Sequence, residues 1–319
     1  MDAANGTRGA HEEVGRDGRE EAEELLQRRS GNPDHPRILG TFNEPCEEWL
    51  SFFCFTMFTD RDGKFQLLSL AESAFDPLAR SCQFMLTEEA HHLFVGETGI
   101  ARVVQRSAEL TRQDPNGDAF RHGGVDLPVI QRYLNHWFSS CLDLFGGEVS
   151  SNAASYFATG LKGRPNEAKF PDHVERNLVR VLQVAEHDRL VSREVAARLA
   201  INEDVRDAYI RDCERAVHRW NRVIEDAGVD FLLRLPNRRF NRTIGEHAGH
   251  AFTPEGDPIS AEELARRQGE WLPTADDRAK VRALQQKPIV EPGQFASWIA
   301  PPPRGINGQP VDFAYVRFD

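Results

Sequence analysis

Between Trp49 and Phe58 the chain is apolar on nearly every side of any helix it could form, in the run Trp49-Leu-Ser-Phe-Phe-Cys-Phe-Thr-Met-Phe58. So short a run predicts a helix buried in a protein core, since a membrane span needs about 20 apolar residues. Asp60 continues this helix on a seam with Phe53, Thr56, Met57, Gly63 and Leu67. Its carboxylate is therefore expected to face the interior, where an unpaired charge is costly. The weak point is Asp62-Gly63, where such a helix could break.

A second helix starts at Asp76-Pro77, with Asp read as N-cap and Pro at the first helical position. Stepping by threes and fours gives one seam of Leu78, Cys82, Met85, Glu89, His92, Gly96, Gly99 and Val103, apolar or small except at Glu89 and His92. The competing register, with Glu88 and His91, also carries Ser81, Thr98 and Arg102 and suits a wetter face. The turn before Asp76 lies 16 residues after Asp60 and 13 before Glu89, or about 24 Å and 20 Å of helix. Folded as an antiparallel hairpin, the two helices bring Asp60, Glu89 and His92 to nearly one level. In a di-metal four-helix bundle, two helices each give one carboxylate and the other two each give Glu-x-x-His. The hairpin carries one helix of each kind, half of such a site. A lone Glu-x-x-His is common on solvated helices; the register and the buried acid are what point to a metal.

Past Arg112 the pattern predicts a loop with turn chemistry at Asp114-Pro-Asn-Gly-Asp118 and His122-Gly-Gly124. Asp126 is expected to cap a helix running through Leu144 to Gly146-Gly147. Two more helices are expected, from Pro171 to Ala200 and from Asp204 to Gly228. The first rests on the spacing of Val174, Leu178, Val181, Leu182 and Ala185. From Leu235 onward Pro and Gly become frequent, apart from a short helix near Ala261 to Gln268. Val311 to Phe318 reads as an extended arm across the bundle. No internal repeat is evident.

The chain has 319 residues, 40% hydrophobic and 28% charged, enough for one large domain with a substantial core and a C-terminal extension. Its five cysteines, at positions 46, 54, 82, 141 and 213, form no Cys-x-x-Cys. Three lie in expected helices, which favours reduced thiols and a cytoplasmic protein. The first 30 residues are polar and charged, unlike a signal peptide, and no transmembrane run is present. A net charge of -11 argues against general nucleic-acid binding. His247-x-x-His250 has ligand-like spacing but no nearby acid or Cys, so a loop or core role is expected there. His136 and His218 each stand near a Trp and are read as packing residues.

Several long blocks, in order, resemble one family. They are Gly15-Arg-Asp-Gly-Arg-Glu-Glu-Ala-Glu-Glu-Leu-Leu-Gln-Arg-Arg-Ser-Gly31, Pro36-Arg-Ile-Leu-Gly40, Phe58-Thr-Asp-Arg-Asp-Gly-Lys64, Phe75-Asp-Pro-Leu78 and Met85-Leu-Thr-Glu-Glu-Ala-His-His-Leu-Phe-Val-Gly-Glu-Thr-Gly99. These resemble the oxygenase components of benzoyl-coenzyme A 2,3-epoxidases from about Gly15 to the C-terminus. The resemblance implies an all-α, ferritin-like bundle over residues 15–234, with an irregular extension over 235–319 and a non-matching segment at 1–14. It implies a di-iron monooxygenase that uses O2 to epoxidise the ring of benzoyl-CoA in aerobic aromatic degradation, with electrons from a separate NADPH-dependent reductase. By position it assigns Asp60, Glu89 and His92 as iron ligands.

The departure is at the N-terminus. The family supplies a Glu and an earlier Glu-x-x-His from two helices that precede the Gly-Arg-Asp-Gly block, whereas only fourteen residues precede it here. As helix these span at most about 21 Å. His11, Glu12 and Glu13 lack the required spacing, so the missing ligands are not assigned to them. The chain is expected to be truncated at its N-terminus relative to the family. Two other outcomes follow from that expectation or from the bundle class: a non-catalytic helical remnant, or an epoxidase for another aryl-CoA. For the anionic CoA moiety, Arg234, Arg238, Arg239 and Arg242 are the densest basic candidates. An ordinary solvated loop is the simpler reading of that stretch.

Overall fold

The computed structural model describes residues 18–30, 32, 34–170, 178–186, 189–287, 295–302 and 304. The chain divides into two compact units, residues 1–45 and 46–319. In the first, α1 (Gly18–Gln27) is followed by a 3-10 turn at Gly40–Asn43. The Asn43 side chain ties the turn down: its amide donates to the Arg37 carbonyl at 2.7 Å, and its carbonyl accepts from the Arg37 N–H at 2.8 Å.

The second unit is mainly helical. Its centre is the hairpin of α2 (Trp49–Leu70) and α3 (Asp76–Gln113), on which α4 (Leu127–Leu142) and α6 (Ile201–Asp226) pack. The first helix does not break at Asp62-Gly63; it runs on to Leu70. Gly96 explains how closely the pair approaches: a Cβ there would meet the Met57 backbone nitrogen at 2.5 Å. Leu50, Cys54, Met57, Phe58, Ile100, Val103 and Val104 of the hairpin join Ile130, Tyr133, Leu134 and Trp137 of α4 and Tyr209, Cys213 and Ala216 of α6 in one core, all fully buried. Full burial of one such large apolar side chain contributes about 1.5–3 kcal/mol. Helix α3 begins one residue earlier than the capping argument implies. Phe75 is its N-cap, Asp76 is already helical, and Asp76 instead pairs with Arg80 one turn on.

Two expectations need correction. Residues 179–186 and 189–196 are not helical. They form an antiparallel hairpin of β1 (Val179–Glu186) and β2 (Arg189–Ala196), with Val184 opposite Val191 and Val179 opposite Ala196. The apolar positions of this stretch satisfy period two as well as period 3.6, and its β-branched residues favour the pleated surface. Leu182 and Val184 point to a small separate core with Ala200. The fold class is nevertheless the expected helical one, to which the described residues add only this hairpin and a second two-stranded pair, β3 (Ala251–Phe252) and β4 (Pro258–Ile259). The C-terminal region also holds more helix than expected: α7 (Ala261–Trp271) and α8 (Ala275–Gln285). Helix α8 opens with a capping box between Thr274 and Asp277, and Arg132 of α4 grips Asp277 with two bonds of 2.8 and 2.6 Å. Val281, Leu284, Trp298 and Ile299 belong to the main core.

The short helix α5 (Ser151–Ala158) completes the set. Residues 171–177 of the expected fourth helix, the arm at 311–318, and His11, Glu12 and Glu13 lie outside the described residues. Among the described residues, no helix is long and apolar enough to cross a membrane.

Candidate metal centre

The α2–α3 hairpin brings together the three side chains that the register argument singled out. One ligand atom each from Asp60, Glu89 and His92 lie within 4.8 Å of one another, and the His92 Nδ1 is 3.8 Å from Glu89 Oε2. Among the described residues this is the one such group of three. The competing pair, Glu88 and His91, is exposed. The surroundings are wetter than the sequence suggests, because Asp60 and Glu89 are half-buried while the His92 side chain is 53% exposed. The triad therefore sits at the edge of the helix pair and not deep inside it.

Its electrostatics are those of acids without a cation. Burial, and then the neighbouring Glu89, push the Asp60 carboxyl up to about 6 against the opposing effect of His92. Burial likewise raises Glu89, again opposed by His92. Glu89 Oε2 is shielded from solvent and accepts no hydrogen bond. The nearest cation in sequence, Arg61, is turned away: it is buried and bound to Glu97 at 2.6 Å and Asp212 at 3.1 Å. Two residues past Asp60, Asp62 is pushed up to about 7 by burial, aided by the Glu89 charge, which together outweigh its bond from Gln66 and the charge of Arg206. An orphaned carboxylate oxygen facing a second carboxylate and an imidazole is a donor set that fits iron, for which imidazole and carboxylate are suitable ligands. The residues present fit half of a two-iron site.

The remaining sequence candidates separate clearly. His247 is buried in a loop against Phe252, and His250 is only half-buried; among the described residues neither belongs to a group of three possible metal ligands. His136 packs on Trp137, whereas His218 is exposed and so is not a packing residue. The arginine-rich stretch is not a solvated loop. Arg242 is buried and bonds Asp143 at 2.5 Å and Glu148 at 2.9 Å, and Arg238 bonds Glu203 at 2.7 Å and also pairs with Asp207. These two guanidiniums are committed to carboxylates, which removes them as CoA phosphate ligands. The sequence reading missed the buried ion network they belong to, and the only signal for it was the unusual density of Arg in a Pro- and Asn-containing segment.

No protein-family model matches the chain. Its sequence is, however, similar along almost its whole length to a known oxygenase component. It is 52% identical over 314 residues to benzoyl-CoA oxygenase component B of Aromatoleum evansii, an alignment that covers 97% of this chain and 66% of that protein. The chain thus spans just under two thirds of the length of this relative. It belongs to the family of benzoyl-CoA oxygenase component B.

Proposed function

We propose that the chain serves as the oxygenase component of a benzoyl-CoA 2,3-epoxidase and that Asp60, Glu89 and His92 are iron ligands in it. The observation that carries this reading is the convergence of those three side chains within 4.8 Å, in a chain 52% identical to a benzoyl-CoA oxygenase component. Iron, when bound, supplies the redox chemistry by which such enzymes activate O2. The chain's own part is to hold it. Burial raises both carboxyls and the Glu89 charge raises Asp60 further, so an ion there favours their charged forms, and its binding must displace any proton they hold. His92, on the solvent edge, offers an imidazole nitrogen to the same ion. The proposed setting is the cytoplasm, with electrons delivered by a separate NADPH-dependent reductase.

One observation favours a second reading. Among the described residues there is a single group of three possible ligands, half the set that a two-iron bundle uses. A chain limited to that half folds and binds metal without turning over.

One preparation tests both readings. Anaerobic titration of residues 1–319 with Fe(II) is expected to give at most one iron per chain, lost in Glu89→Ala and in His92→Ala. NADPH-dependent conversion of benzoyl-CoA with the reductase separates the two: turnover is expected under the first reading and none under the second. Iron uptake unchanged by both alanine variants would overturn the ligand assignment. Full turnover by residues 1–319 alone would overturn the second reading.

A further inference from the structure

Glycines 63 and 96 both lie on the seam between α2 and α3, but they face different things. At Gly96 a Cβ would strike the backbone of the facing helix at Met57 and Thr56, so that glycine sets the helix spacing. At Gly63 the three atoms nearest to an added Cβ all belong to one carboxyl group: Glu89 Oε1 at 3.1 Å, Glu89 Cδ at 3.6 Å and Glu89 Oε2 at 4.0 Å. Gly63 is three residues past Asp60, in the interior of a 22-residue helix, where glycine costs about 1 kcal/mol relative to alanine. Its backbone is ordinary helix and does not call for glycine. The need for a missing side chain comes from across the seam, where Glu89 leans over it and leaves one oxygen buried and without a hydrogen bond.

We propose that Gly63 is a positioning residue: it keeps open the space from which the Glu89 carboxylate faces Asp60 and His92. The inference rests on the metal-site reading above and adds a residue to it. A methyl group at position 63 stands closer to Glu89 Oε1 than ordinary van der Waals contact allows. It moves the carboxylate by a few tenths of an ångström, and a branched side chain moves it further. The helix itself gains from either loss of glycine freedom or, for alanine, from better propensity.

The test separates metal affinity from stability. For Gly63→Ala, the metal-free protein is expected to melt no lower than wild type, while affinity for Co(II), a spectroscopic probe for this donor set, falls on the order of tenfold, the scale on which groups that orient ligands act. Gly63→Val is expected to lose more. Shortening the acid should compensate: Glu89→Asp is expected to weaken binding alone but to weaken it less, or restore it, beside Gly63→Ala. Affinity within twofold of wild type in Gly63→Ala and Gly63→Val would overturn the proposal. If wild type takes up no Co(II) or Fe(II), the metal reading fails, and Gly63 is then judged on the metal-free protein. There the rise in Tm from Gly63→Ala should be larger beside Glu89→Ala than with Glu89 in place. Equal rises would show that the carboxylate does not use this space.

Discussion

The hairpin end and the junction of α4, α6 and residues 237–247 both gather carboxylates, and they treat them in opposite ways. At the junction every acid meets a guanidinium. Arg242 bonds Asp143 and Glu148, Arg206 pairs with Glu203 and lies 3.5 Å from Glu148, and Arg238 and Arg180 share Asp207. Burial alone would raise the Glu148 and Asp207 carboxyls, yet the arginines around them outweigh it and hold both below the usual range. Burial and Arg242 push Arg206 down to about 9, which leaves it charged at neutral pH. At the hairpin, among the described residues, Asp60 and Glu89 have only a half-exposed imidazole between them, and both carboxyls are raised. Burial of charge is thus common to both places and marks neither as functional. The missing counter-charge is what sets the hairpin apart, and perturbed acids without a structural partner are the ones that suggest a ligand.

The sharpest way to break this comparison is at the junction. Arg242→Met strands Asp143 and Glu148 without their main partner, and breaking a buried pair on one side typically costs about 3–5 kcal/mol. Denaturant unfolding is expected to show a loss of that size, with the metal affinity of the folded protein unchanged. A loss of less than about 1 kcal/mol would mean that the junction is as loosely paired as the hairpin, and the contrast would fall.

At the hairpin the opposite result is expected. Glu89→Gln keeps the shape of the side chain and removes a charge that, among the described residues, faces no Lys or Arg partner, only the His92 imidazole. In the metal-free protein the stability is expected within about 0.5 kcal/mol of wild type, or above it, while metal affinity drops by at least about tenfold, as for a lost ligand or ligand-orienting group. Thermal melts and a Co(II) titration on the same samples read both quantities. A clear destabilisation would show that Glu89 has a structural partner after all.

The sequence made the hairpin legible and hid the junction, for a physical reason. Asp60, Glu89 and His92 lie within 33 residues of chain, and helical period and rise carry such positions to one level without knowledge of the rest. Asp143 and Arg242 are 99 residues apart, and no local pattern says that one meets the other. The exposure of His92 was equally hidden, because the seam shows which side chains share a face and not whether another element covers it. The β1–β2 hairpin was lost to ambiguity of period: Val181, Leu182 and Ala185 fit a helix, and only the pairing of residues 179–186 with 189–196 settles them as strand. Helix α8 did carry a local signal, the Thr274-x-x-Asp277 box, that a search for caps finds.

The smallest expected effect concerns the outside of the same hairpin. Over its first five turns α3 buries only Ala79 and Cys82, whereas from Gly96 to Leu110 it buries eight residues. Phe84 is 72% exposed, Phe94 65% and Met85 49%, so the turns that carry Glu89 and His92 present a run of large apolar side chains to water. Exposed apolar patches favour association. Residues 1–319 are therefore expected to self-associate at micromolar concentration in sedimentation velocity, and Phe84→Lys with Phe94→Lys to shift the distribution toward monomer. Stability should change by no more than about 0.5 kcal/mol, because neither ring is buried. If the double variant associates as the parent does, the contact lies on another face; if the parent is monomeric throughout, these rings are covered from within the chain.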